Sequence, residues 1–185
     1  NYLQSKGYRV AFNVMQITEC NDKKITSIAK QAANYPIDVL YFADSLGSMT
    51  PKKLSEVVGL LRRHWQGELG FHAHDNIGLG LSNSLYALDV GVSWVDSTVT
   101  GMGRGARNVK TELLVIEIAK LRDFSCNLIP LMSVILKWFK PLQDQYNWGT
   151  NVFYYLSGKN SVHPSYVQEM MADSRYSEED IVAVI

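Results

Sequence analysis

The chain has 185 residues, 46% of them hydrophobic and 19% charged, the balance of a globular protein that can bury a real core. Eighteen basic side chains offset eighteen acidic ones, so no net field draws the protein to nucleic acid or to a membrane surface, and neither is expected as a partner. Cys20 and Cys126 are too few for a disulfide framework and too far apart for a zinc knuckle, and no apolar run reaches the roughly 18 residues of a membrane span; a cytoplasmic protein with reduced thiols is expected.

The first stretch, NYLQSKGYRV, is helix-like and already runs into an apolar strand by Tyr8. So abrupt a start predicts a cut inside a larger domain. Four strand-like runs follow: YRVAFNVMQ (8–16), DVLYFADSL (38–46), ELGFHAHD (68–75) and VSWVDSTVT (92–100). After each comes a helical pattern, at about 22–35, 51–65, 77–90 and 109–122. In the second helix Thr50 is a ready N-cap, Pro51 takes the first position, and Leu54, Val57, Val58 and Leu61 form the apolar stripe. In the third, Asp75 or Asn76 is the expected cap for a helix carrying Leu81, Leu85 and Leu88.

Apolar strands alternating with helices predict an α/β fold with a parallel sheet covered on both faces. Four βα units are half of an eightfold barrel, so residues 1–123 are expected to form a half TIM barrel. From 124 to 185 the patterns are helical only, which predicts a helical C-terminal region packed on the barrel.

Two of the four histidines stand in GFHAHDN (70–76). Residues i and i+2 of a strand share a face about 6.5–7 Å apart, so His72 and His74 can converge on one ion. A single buried histidine is usually a core residue; two on one face, at a strand's C-terminal end, are harder to satisfy without partners. The loop TGMGRGARNVKTE (100–112) offers a further donor in Asn108, whose alternative role is to cap the helix that follows. Its GMGRGA also fits a degenerate dinucleotide fingerprint, but that pattern belongs at a first βα turn and leaves both histidines unexplained.

YFADSLGSMTP, GFHAHDNIGLGLSNSLYALDVG and VDSTVTGMGRGARNVKTE, in this order, resemble the second half of the barrel in the metal-dependent aldolase and Claisen-type (HMG-CoA lyase-like) family. The likeness leans to its 4-hydroxy-2-oxovalerate aldolase branch and covers about residues 8–122. It implies a divalent metal, Mn²⁺ or Mg²⁺, held by His72 and His74, with Asn108 approaching it as in the lyase branch. It also puts Asp44 and Ser45 on an acidic–hydroxyl pair ending the sixth strand, where Asp44 is catalytic or a turn residue. Asp96 is open to a role as acceptor for an imidazole N–H or as a strand-to-strand ion pair. The family's acid–base tyrosine has two counterparts, Tyr154 and Tyr155, either of which can also be packing.

The resemblance implies cleavage of a 4-hydroxy-2-oxo acid to pyruvate and an aldehyde, with the metal as Lewis acid. Acyl-CoA lyase or synthase chemistry and a non-catalytic scaffold are the alternatives. The family's first-strand aspartate ligand and its arginine have no counterpart here, so the N-terminal half of the barrel is missing and the fragment alone is expected to be inactive. The open sheet edges and apolar inner face predict self-association as a homo-oligomer.

Overall fold

The computed structural model describes residues 2–185. After a short turn of helix, α1 (Tyr2–Ser5), the four expected βα units appear: β1 (Ala11–Val14) and α2 (Asp22–Ala32), β2 (Val39–Asp44) and α3 (Pro51–Arg62), β3 (Glu68–Ala73) and α4 (Gly80–Asp89), β4 (Trp94–Val95) and α5 (Thr111–Leu121). The strands pair in parallel and in chain order, β1-β2-β3-β4. This is α/β architecture of the partial-barrel kind.

Local sequence accounts for most of the boundaries. Asn21 caps α2 by accepting from the Lys24 N–H at 2.9 Å, and Thr50 caps α3 by accepting from the Lys53 N–H at 3.2 Å, with Pro51 leading the helix. On the face of the sheet turned to the helices, Leu40 pairs with Leu69 and Phe42 with Phe71, all fully buried. The Phe42 and Phe71 rings lie 5.0 Å apart, and Leu54, Val57 and Leu61 of α3 join the same core.

Two boundaries differ from the sequence reading. The run 92–100 pairs with β3 only at Trp94 and Val95, with a further single bridge from Thr98 to Lys110, and the chain then tightens into a 3-10 turn, Val99–Gly101, with Thr100 and Gly101 at φ 57° and 71°. And α4 begins at Gly80 rather than near Ile77. Asp75 serves it from a distance, its Oδ1 accepting from the Gly80 N–H at 2.7 Å. Asn76 has no capping role: its amide donates to the Tyr154 carbonyl and to Ser157 Oγ, each at 3.3 Å.

The C-terminal region is helical as expected: α6 (Ile129–Val134), a wide π turn (Ile135–Phe139), α7 (Lys140–Tyr146), α8 (Val152–Lys159), α9 (Pro164–Ala172) and α10 (Glu178–Val184). The π turn falls just before Pro141, which has no N–H to return to the carbonyl four residues back, so the helix widens there. Tyr154, Val167 and Ile181 form a second small core that also takes in Ala106, from the loop after β4.

That loop and the one after β3 are the seat of the helical region. Trp148 Nε1 donates to the Thr100 carbonyl at 3.3 Å. At Gly158 of α8 a Cβ would stand 2.9 Å from Asn76 Cβ and from Ile77 Cγ2, so the helix rests directly on the β3–α4 loop. The helices thereby lie over the C-terminal ends of the strands.

β1 keeps an unpaired edge, and Phe12, half exposed, lines a cavity of about 550 Å³ with Val10, Val14, Ile28 and Ile37. Gly158→Val is expected to force α8 off its seat and lower the free energy of unfolding by about 1–3 kcal/mol, measured by denaturant titration.

Candidate metal centre

His72 lies in β3 and His74 one residue beyond its end, where it bridges to Asn108 across the neighbouring loop. The two rings stand side by side with centroids 5.1 Å apart, nearly perpendicular. His72 Nδ1 is 3.0 Å from Asp96 Oδ2. A carboxylate only accepts, so Nδ1 carries the proton and the Nε2 lone pair is left free. Of the two roles open to Asp96, the structure shows the acceptor for an imidazole N–H.

His74 Nδ1 is buried without a hydrogen-bond partner. Burial, then the repulsion that a protonated ring would meet from Arg104 and the neighbouring imidazoles of His72 and His163, pulls its pKa from 6.5 down to about 4, so the ring stays neutral. Asn108 does not cap α5, which starts at Thr111 behind an uncapped Lys110. Its Nδ2 donates to the Met102 carbonyl at 3.2 Å, and its Oδ1 is buried and unpartnered. Gly103 makes room for it, since a Cβ there would lie 2.7 Å from Asn108 Nδ2.

An orphaned imidazole nitrogen and an orphaned amide oxygen on two joined loops each cost about 1–3 kcal/mol unless something binds them. With the free Nε2 of His72 they make a mixed nitrogen–oxygen donor set that fits a divalent cation. No third His, Cys, Asp or Glu gathers with any such pair among the described residues.

Asp44 and Ser45 stand at the C-terminal end of β2. Asp44 is fully buried, and its two oxygens accept from the Ser48 and Met49 N–H groups at 3.0 and 2.9 Å. Burial pushes its pKa up to about 6 against those donors and the nearby His72. By register it pairs with Ala73, so it alternates away from the face of His72, and through these two amides it ties down the β2–α3 loop. Ser45 Oγ accepts from the Gln16 N–H at 2.9 Å and joins the ends of β1 and β2.

Tyr154 and Tyr155 part company. Tyr154 is buried, its ring 3.7 Å from where a Cβ on Gly105 would be, and it borders a groove of about 610 Å³ with Gly103, Gly105 and Trp148. Burial raises its phenol pKa. Tyr155 is 44% exposed, with the Lys159 ammonium over its ring.

Arg107, Arg104 and Tyr41 escaped the sequence reading, as did the second role of Asp75. Asp75 Oδ2 accepts from Arg107 Nε at 2.8 Å, and its N–H donates to the Arg107 carbonyl, so one aspartate locks both loops together. Arg107 holds φ 131°, a strained conformation for a side chain with a Cβ. Arg104 donates to Ser165 Oγ at 3.3 Å, and its charge reaches both His74 and His163. Tyr41 donates to Asp96 Oδ1 at 3.2 Å; the glycine at position 70, inside a strand, was its one sequence signal.

The shifted histidine gives a pH test. An unfolded imidazole takes up a proton near pH 6.5 that folded His74 refuses until about pH 4, so this group's contribution to stability is lost as pH falls through that window. Asp44, with its raised pKa, acts in the opposite sense. Comparison with His74→Gln cancels the Asp44 part: wild type is expected to lose up to about 3 kcal/mol relative to the variant between neutral pH and pH 4, measured by urea unfolding.

Comparison with known proteins places the chain in a family. The HMGL-like family model matches residues 1–134. The 4-hydroxy-2-oxovalerate aldolase of Pelotomaculum thermopropionicum is 37% identical over 134 residues, covering 66% of this chain and 39% of the aldolase. That of Carboxydothermus hydrogenoformans is 39% identical over 99 residues, covering 54% and 30% respectively. The N-terminal domain of a candidate aldolase from Bacteroides vulgatus superposes with a TM-score of 0.84 at 35% identity, over 99% of this chain and 60% of that one. The chain therefore spans less than half the length of these curated relatives. It belongs to the HMGL-like family.

Proposed function

We propose that this chain carries one side of the active centre of a divalent-metal-dependent carbon–carbon lyase, which in the complete protein cleaves a 4-hydroxy-2-oxo acid to pyruvate and an aldehyde. The observation that carries this reading is the pair of adjacent imidazoles at the end of β3, next to an unpartnered Asn108 oxygen. The 4-hydroxy-2-oxovalerate aldolases among its relatives support the substrate class.

His72 and His74 would hold the ion as neutral ligands, with Asn108 Oδ1 as a further donor. Mn²⁺ or Mg²⁺ bound there supplies Lewis-acid polarisation of the substrate's 2-oxo group. Asp44 and Ser45 shape the site by fixing the loop after β2 and the junction with β1. Tyr154, its phenol kept protonated by burial, is the tyrosine assigned to hold a proton over the site. Tyr155, turned to solvent, has no part.

The unpaired edge of β1 and the apolar cavity beside it support a further part of the reading, that the remaining half of the barrel covers this flank in the complete protein.

The full-length natural protein is expected to release pyruvate from 4-hydroxy-2-oxo acids, to stop on chelation and to recover with Mn²⁺ or Mg²⁺. His72→Ala and His74→Ala are each expected to lower the rate by about 100-fold or more. Cleavage or condensation of an acyl-CoA without pyruvate release would move the protein to the thioester branch of the family. Absence of both, with no metal bound, would leave a scaffold.

A further inference from the structure

The inner face of the sheet carries a second arrangement that spans three strands. Parallel register sets Tyr41 of β2 beside Gly70 of β3, and Gly70 beside Trp94 of β4; two residues further along, His72 and Asp96 stand on the same face. The Tyr41 side chain does not rise from the sheet. It lies across β3, so that a Cβ on Gly70 would meet three of its ring carbons at 2.4–2.5 Å. Having crossed, its hydroxyl reaches Asp96 Oδ1 at 3.2 Å, while the other oxygen of the same carboxylate receives His72 Nδ1 at 3.0 Å.

We propose that Tyr41 is a positioning residue: it holds the Asp96 carboxylate so that His72 keeps its proton on Nδ1 and presents Nε2 as a ligand, with Gly70 as the floor the tyrosine needs to reach across. The metal-ligand role of His72 rests on the reading above; the tyrosine's hold on the tautomer does not.

Three observations carry the inference beyond a single hydrogen bond. Glycine weakens a strand interior, and Gly70 shows no positive φ that would demand it; the crossing ring is what occupies the space it leaves. Asp96 lies just past β4, with its N–H bonded to the Phe71 carbonyl at 3.2 Å, so its backbone is fixed but its half-exposed carboxylate can turn unless both oxygens are held. Finally, burial, and next the charge of Asp96, push the Tyr41 phenol up to about 12. It therefore remains a donor throughout the working range of an enzyme. A ligating imidazole fixed in this way by a carboxylate on its far nitrogen is a general device for setting tautomer and basicity, worth about 10–100-fold in metal affinity.

The test uses the full-length protein labelled with ¹⁵N-histidine and free of metal, in which ring ¹⁵N shifts report the tautomer of His72 directly. Wild type is expected to show the Nδ1–H form. Tyr41→Phe should shift His72 toward a mixture with the Nε2–H form and weaken Mn²⁺ binding, read by electron spin resonance of the free ion, by about 3–10-fold, and Asp96→Asn by about 10–100-fold. Gly70→Ala, by displacing the ring, should reproduce the Tyr41→Phe result; if that variant does not fold, Tyr41→Phe decides alone. Wild-type His72 in the Nε2–H form, or a Tyr41→Phe protein with unchanged tautomer and Mn²⁺ affinity, overturns the proposal. A wild type that shows the Nδ1–H form but binds no Mn²⁺ overturns the metal reading while the tautomer shift in Tyr41→Phe still decides the role of Tyr41.

Discussion

The register of three parallel strands is the constraint on which this molecule depends. Because Ala43 pairs with His72 and Gly70 with Trp94, the inner face receives Tyr41, Gly70, His72 and Asp96, and the outer face receives Leu40, Phe42, Leu69 and Phe71. A slip of one residue in β3 would send the imidazole into the helix layer and Phe71 toward the centre. The buried pairing of Phe42 with Phe71 opposes any such slip, so hydrophobic packing on one side of the sheet maintains polar chemistry on the other.

Beyond the strands, the loops are fixed by a small number of polar side chains that each serve two masters. Asp75 receives both Gly80 and Arg107; Asn76 reaches out to α8; Asp44 gathers the start of the β2–α3 loop with both oxygens. Each lies at the C-terminal end of a strand, where barrel proteins place their chemistry. The helical region then closes over these ends through Gly158 and Trp148. Only then is Tyr154, far along the chain, brought to the groove beside Gly103 and Gly105.

Much of this was legible in the sequence because it depends on local period. The alternation of apolar strands with amphipathic helices, the Thr50–Pro51 helix start, and the i, i+2 spacing of His72 and His74 are all short-range patterns with one geometric reading. What was illegible depends on partners distant in the chain. Asn76 looks like a helix cap until its receiver on α8 is known. Nothing near Tyr41 announces that its ring will lie down across a glycine on the next strand. Asn108 and Asp44 each had a bland and a chemical reading. Only tertiary contacts bear on them: α5 starts too late for Asn108 to cap, and each oxygen of Asp44 accepts one loop amide, from Ser48 and from Met49.

Strand order that repeats chain order has a kinetic meaning. Each strand pairs with the one before it in the chain across a connection of roughly 20–24 residues that includes a helix, so every pairing closes a loop of similar and modest entropic cost. A sheet assembled this way can lengthen one unit at a time in either direction. The open edge at β1 leaves one row of its N–H and C=O groups free to accept a further parallel strand in the same geometry.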